Sequence, residues 1–436
     1  MPLVEARPSP TLAPPMIRRP ALVLLVLTGL NLLNYVDRTV LAAVLAHVQD
    51  SLHLSESQGG FLATAFLVGY FATSPIFGAL GDRGFSRRVL LTVGVVVWSA
   101  ATWASGRAST FVEMLVARAV VGVGEASYAA VAPTIIDDIA PPERKGRWLS
   151  VFFLAIPVGS ALGYLAGGAM DRAFGWRMSF QMVGGPGLML ALLCMLLEDK
   201  RRAAPRKKES PLAALRPLLG EPVYRRAVAG YCLFTFALGG FAHWAPKYIH
   251  TRYGTDLARA NFVFGIVLVV AGLVGTGLGG AMGDRLARRA RQALDEDTAA
   301  GPAGDLAAAR GHLRVCAVAA LIGAPFAAAC ILSPTENGFF GLILLAETAL
   351  FLSTSPINAS LLLSVPAGVR TSAMAISIFA IHVFGDLWSP PLVGALADRL
   401  PWRVAMLALP VAIAGAAAAW WMPLRSPPRD SARLPL

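Results

Sequence analysis

Apolar runs of about 20 residues or more recur along the whole chain, and no other feature restricts its fold so tightly. That is the length at which a helix crosses a hydrocarbon core of about 30 Å. Inside such a core each backbone N–H and C=O needs a partner within its own helix or a closed barrel. Twelve runs can be placed, at roughly 21–46, 57–80, 89–105, 111–137, 148–170, 179–198, 226–249, 258–281, 313–332, 338–364, 371–396 and 403–422. The residues are 56% hydrophobic and only 15% charged, too little charge for a soluble chain of 436 residues. The expectation is an all-α integral membrane protein with 12 transmembrane helices.

A net charge of +12 would suit nucleic acid, but the basic residues sit in short loops between apolar runs. Most of the 38 lysines and arginines fall in the N-terminus, residues 81–88, 138–147, 199–225, 282–312 and 365–370, and the C-terminal tail. The positive-inside rule puts these loops and both termini in the cytoplasm, and no nucleic-acid partner is expected. The run after Arg18 and Arg19 has no A-x-A cleavage site and reads as a retained first span. Cys194, Cys232, Cys316 and Cys330 lie in or beside apolar runs with no CxxC pair, so neither a disulfide framework nor a metal site is expected.

The chain also repeats itself. "GALGDRGFSRR" (78–88) follows the second run and "GAMGDRLARR" (280–289) follows the eighth. A second pair, "GAMDRAFGWR" (168–177) and "GALADRLPWR" (394–403), follows the fifth and the eleventh. Two pairs at corresponding places predict two pseudo-symmetric six-helix bundles. The layout is then a tail (1–20), a first bundle (21–198), a linker (199–225), a second bundle (226–422) and a tail (423–436). The basic linker suits either an interfacial helix or a solvated tether, and residues 291–311 read as a loose cytoplasmic loop. Asp82, Arg83, Arg87 and Arg88 in the first repeat, and Asp284 and Arg285 in the second, are candidate gate residues between the bundles. A carboxylate there can accept bonds from a helix N-terminus and hold one conformation closed.

Asp37 and Arg38 interrupt the first run, and Arg118 and Glu125 the fourth. Each charge near a span centre costs roughly 2.5–3.5 kcal/mol, so four of them require pairing or a wet cavity. Counted from the same side, Asp37 and Arg118 lie at nearly equal depth, and the seven-residue step puts Arg118 and Glu125 on one helix face. A fixed salt bridge is one use for such charges. The other is a carboxylate that alternates between binding Arg118 and holding a proton, for which Glu125 is the first candidate and Asp37 the second. In the second bundle His243, Lys247, Glu347, His382 and Asp386 are the deep polar groups, with His382 and Asp386 four residues apart on one face.

"NYVDRTVLAAVL" (34–45), "GVGEASYAAVAPTIIDDIAPPERKGRWLSVFFLAIPVGSALGYLAGG" (122–168) and "HVFGDLWSPPLVGALAD" (382–398) closely resemble the Spinster group of the major facilitator superfamily. The superfamily resemblance covers all twelve spans. It implies the major facilitator fold and a secondary transporter that works by alternating access, coupled to protons, with no cofactor beyond the proton gradient. By position, the family's acidic residue in span 1 and its neighbour fall on Asp37 and Arg38, and its span-4 cation and acid on Arg118 and Glu125. Asn34, Tyr35, Ser127 and Tyr128 flank these positions and, with His382 and Asp386, complete the candidate substrate contacts. Animal members of the group move sphingosine-1-phosphate or lysophospholipids, which makes a small amphipathic substrate such as a lysolipid the expected partner, beside the membrane lipids. The expected form is a monomer. One departure is the first repeat, where "GDRGFSRR" has one residue more before its paired arginines than the superfamily spacing.

The Ala- and Arg-rich composition points to a bacterial inner (cell) membrane. Drug/proton antiport or transport of small organic or sugar acids remains the alternative. An enzyme is not expected, since no HExxH, Walker loop or GxSxG occurs.

Overall fold

The computed structural model describes Ile17 and residues 19–82, 85–141, 144–197 and 218–421. Twelve helices are long and apolar enough to cross a membrane. Spans 1–6 are Pro20–Leu52, Glu56–Gly81, Arg87–Ser105, Phe111–Ile139, Arg147–Phe174 and Trp176–Met195. Spans 7–12 are Pro222–Tyr253, Leu257–Gln292, Pro302–Leu332, Glu336–Leu363, Ser372–Ala397 and Trp402–Trp420. All twelve expected spans are present, and the protein is a multi-pass integral membrane protein. The linker expected at 199–225 lies largely outside the described residues.

Within lipid, apolar burial gives helices little reason to associate, so close packing of small residues takes over. Gly122 in span 4 sits so near the Phe66 carbonyl of span 2 that a Cβ there would strike it. Gly279 in span 8 is pressed in the same way against the Leu352 carbonyl of span 10. Spans 2 and 4 of the first half thus meet as spans 8 and 10 of the second do. Proline inside spans 2, 4, 5, 6, 7 and 9 is tolerated because neighbouring helices satisfy the freed carbonyls.

Residues 291–311 are not a loose loop. Span 8 runs on to Gln292, a short helix covers Glu296–Ala300, and span 9 begins at Pro302. The Asp295 carboxylate caps the short helix by accepting the Thr298 N–H at 2.9 Å. Asp305 accepts Arg291 Nη2 at 2.6 Å and Arg370 Nη2 at 3.0 Å, tying the ends of spans 8 and 11 to the start of span 9. Helix-forming alanines and these ion pairs overcome the polarity that suggested disorder.

The two halves are held together mainly on the side opposite the basic loops. There the Asp398 carboxylate, just past span 11, accepts the backbone N–H of Glu56 at 2.7 Å and of Ser57 at 3.0 Å, capping span 2 from the other half. Lys247 of span 7 donates to Glu56 Oε2 at 2.5 Å and to Gln49 Oε1 of span 1 at 2.7 Å. Asn261 of span 8 donates to the Ala43 carbonyl at 2.8 Å, and Arg172 lies 3.9 Å from Asp256, the N-cap of span 8. The second repeated motif therefore has a place in the fold. Its Asp398 bonds across the halves, while its counterpart Asp171 bonds His47 at 2.6 Å within the first half.

Candidate charge-relay site

Two ion pairs join spans 1 and 4. Arg118 Nη1 donates to Asp37 Oδ1 at 3.2 Å, and Thr102 of span 3 donates its hydroxyl to Asp37 Oδ2. Arg38 Nε donates to Glu125 Oε2 at 2.7 Å. The sequence-level depth count places Asp37 beside Arg118, and the structure brings those two together. It gives Glu125 a different partner from the one its helix face suggested. Seven residues span about 10 Å of helix axis, too far for Arg118 to turn back on Glu125. Side chains lean toward their helix N-terminus. Spans 1 and 4 are antiparallel, so Arg38 leans toward the basic loops while Glu125 leans away from them, and the two meet.

The pairs differ in access. The side chains of Asp37 and Arg118 are 1% and 2% exposed, whereas Arg38 is 24% exposed over a fully buried Glu125. Three rings surround the Arg38 guanidinium, those of Tyr35, Phe66 and Tyr70, at 4.9, 5.0 and 5.1 Å from its carbon to their centroids. Cation–π attraction of this kind contributes on the order of 0.5–2 kcal/mol and keeps the guanidinium in place when its carboxylate leaves. Arg118 Nε, Glu125 Oε1 and Asn34 Nδ2 are buried with no hydrogen-bond partner among the described residues.

Ser127 and Tyr128 do not line this site with their hydroxyls. Ser127 donates to the Leu90 carbonyl at 2.7 Å and Tyr128 to the Leu27 carbonyl at 2.5 Å, fastening span 4 to spans 3 and 1. Across the boundary between the halves, His382 and Asp386 form a dyad in a π-helical turn, with His382 Nδ1 2.9 Å from Asp386 Oδ2. The His382 ring lies 5.0 Å from that of Phe71 in span 2, beside Tyr70 of the aromatic box. Such turns interrupt a helix and often accompany functional sites.

Of the gate candidates, Arg87 donates to Asp138 Oδ2 at 2.6 Å and to Thr134 at 3.3 Å, within its own half. Arg88 follows it in the first turn of span 3, and Asp284 and Arg285 are exposed near the end of span 8. The Asp82 side chain and Arg83 lie outside the described residues.

Several contributors escape a sequence reading. Thr102 carries the signal of a polar residue in an apolar span, but nothing in sequence aims it at Asp37. Phe66 and Tyr70 resemble any lipid-facing aromatics until span 2 is packed. Glu347 was visible as a charge in span 10. Its isolation was not: it is fully buried, and among the described residues neither carboxylate oxygen has a hydrogen-bond partner.

Twelve spans in two similarly packed halves, with paired charges between spans 1 and 4, define a major facilitator transporter. The Major Facilitator Superfamily model matches residues 27–294. Among relatives, the probable sphingolipid transporter spinster homolog 2 of Arabidopsis thaliana is 31% identical over 438 residues, 92% of this chain and 86% of the relative. Human protein spinster homolog 1 is 33% identical over 409 residues, 88% of this chain and 74% of the relative. The chain belongs to the spinster family of the major facilitator superfamily. Among solved structures, a bacterial homolog of the human lysosomal transporter Spinster, inward-facing and unoccupied, superposes with a TM-score of 0.78 at 22% identity, covering 92% of this chain and 96% of that one. A D-xylose–proton symporter reaches 0.71 at 18% identity, covering 92% and 96%.

Proposed function

We propose that this protein is a proton-coupled transporter of an amphipathic, lipid-like anion, of the lysophospholipid or sphingosine-1-phosphate kind. The observation that carries this reading is the Arg38–Glu125 pair, whose arginine is partly exposed while its carboxylate is fully buried. An anionic headgroup reaching Arg38 competes with Glu125 for one guanidinium. A proton on Glu125 removes its claim and frees Arg38, so headgroup and proton bind as linked events. Asp37 and Arg118, sealed one layer behind, form the second proton site. The rings around Arg38 suit the first carbons of an alkyl chain, and His382 and Asp386 face the same boundary from the second half.

Alternating access in this scheme is a two-state equilibrium biased by protonation. Contacts such as Asp398 to span 2 and Lys247 to Glu56 close the face opposite the basic loops, so the described state is inward-facing if those loops are cytoplasmic. Asp82, Arg83, Arg87, Arg88, Asp284 and Arg285 would then close the other face in the opposite state. The reading places a monomer in a bacterial cell membrane, with both termini inside and the proton gradient as its energy source.

The test is uptake of radiolabelled lysophospholipid and sphingosine-1-phosphate into proteoliposomes, with and without an imposed pH gradient. Gradient-driven uptake that vanishes in a folded Glu125→Gln variant is the expected result, and full gradient-driven uptake in that variant would defeat the carrier role. Drug/proton antiport or organic-acid transport is the second reading, favoured if a cationic dye or a small acid is moved and neither lipid is.

A further inference from the structure

The lipid-facing side of the first half carries a groove that the ion pairs do not use. It lies between spans 3 and 4 near the ends opposite the basic loops, has a volume of about 570 Å3 and is open along the protein surface. Ala101, Ala104 and Ala117 form its floor, where three methyl groups stand in place of larger side chains. Val112, Val116 and Val120 line one side, and the eight steps from first to last run about 12 Å along the helix. An open apolar groove of that length fits an alkyl chain lying along the protein surface.

Its mouth is charged, and with both signs. Arg107, at the end of span 3, rests its guanidinium 4.7 Å from the centre of the Trp103 ring. Glu113, in the first turn of span 4, accepts the Ser109 N–H at 2.7 Å and the Ser109 hydroxyl at 2.9 Å, all on Oε2. A plain anion would meet the carboxylate as well as the arginine. A zwitterion, whose phosphate and ammonium are a few bonds apart, meets a partner for each end.

We propose that this groove binds one phospholipid of the bilayer, with an acyl chain along the alanine floor, its phosphate on Arg107 and its primary ammonium on Glu113. Phosphatidylethanolamine has that headgroup, whereas the quaternary ammonium of phosphatidylcholine has no N–H to donate. The position suggests what the lipid does. Ala101 and Ala117 on the floor directly adjoin Thr102 and Arg118 in sequence, the two residues that hold Asp37. A chain in the trough braces spans 3 and 4 from outside at the level where they grip that carboxylate.

The test is native mass spectrometry of the full-length protein, delipidated in mild detergent and then offered phosphatidylethanolamine, phosphatidylcholine or phosphatidylglycerol. One phosphatidylethanolamine should be retained in preference to the other two. Arg107→Gln, at an exposed position, should weaken that retention roughly ten-fold, the worth of one charge-assisted hydrogen bond. Ala104→Phe, which fills the trough, should abolish it. Thermal unfolding of each variant without lipid checks that the fold is kept. Retention blind to headgroup, or unchanged in Arg107→Gln and in a folded Ala104→Phe, would overturn the proposal whatever the protein transports.

Discussion

The two halves share a helix plan and handle buried charge in opposite ways. In the first half each deep carboxylate has an arginine, Asp37 with Arg118 and Glu125 with Arg38. In the second half Glu347 is as deeply buried, and among the described residues neither of its carboxylate oxygens has a hydrogen-bond partner. His382 and Asp386 find each other but no arginine. The difference teaches that pseudo-symmetry here is one of backbone packing, carried by glycine contacts such as those of Gly122 and Gly279. The buried arginine–carboxylate pairs sit where one half departs from the other.

The largest effect should come from breaking the sealed pair. Arg118→Leu leaves Asp37 buried with only Thr102 and is expected to cost roughly 3–5 kcal/mol of stability, as for other buried pairs that lose one member. Removing both charges, as Asp37→Leu with Arg118→Leu, should recover most of that loss, because no orphan charge remains. Thermal unfolding of the purified protein reads both results. A single variant as stable as the parent would show that Asp37 does not depend on Arg118.

The same experiment on the second half should change sign. Glu347→Leu removes a buried carboxyl that satisfies none of its hydrogen-bonding capacity, and a gain of about 1–3 kcal/mol is expected from relief of that desolvation. Loss of stability instead would mean that Glu347 has a partner, such as an internal water, and the contrast between halves would shrink.

Much of this was legible in sequence, and what was hidden follows a pattern. All twelve spans follow from apolar run length, since lipid leaves the backbone no other choice. The level of Asp37 with Arg118 follows from counting residues at 1.5 Å each. The exchange of partners, with Arg38 rather than Arg118 on Glu125, depends on which way side chains lean on antiparallel helices. Residue spacing alone does not carry that. The aromatic box needed span 2 to be placed against span 1. The segment 291–311 misled because its acidic cluster reads as solvated chain, whereas Asp295 is a helix cap and Asp305 an anchor for two arginines.

A third expectation concerns the closed face, where the halves meet instead of differing. Lys247→Met removes the ammonium shared by Glu56 and Gln49. Charged hydrogen bonds of this kind contribute about 1.5–3 kcal/mol, so the closed population should fall roughly ten-fold or more relative to the open one. Spin labels on the ends of spans 2 and 11 would report it as a longer distance distribution. An unchanged distribution would show that Lys247 only shields charge.

The smallest effect tests whether acid loosens that face. Burial would raise the pKa of Asp398, but the hydrogen bonds from the Ser57 side chain and from the N–H groups of Ser57 and Glu56 outweigh it and hold the carboxyl below its ordinary value of 3.8. A group with a lowered pKa when closed holds fewer protons there than when open, so acid must favour opening. The contact is therefore fully present above the ordinary aspartate range and is lost as the pH falls through the lowered value. Spin-label distances across spans 2 and 11 should stay constant between about pH 7 and 5 and lengthen only in stronger acid, by the 0.5–2 kcal/mol roughly expected of a helix cap. Asp398→Asn keeps an oxygen that can accept these bonds but has no charge to titrate, so the lengthening in strong acid should shrink or disappear. Lengthening already between pH 7 and 5 in the parent protein would assign the acid sensitivity of this face to a group other than Asp398.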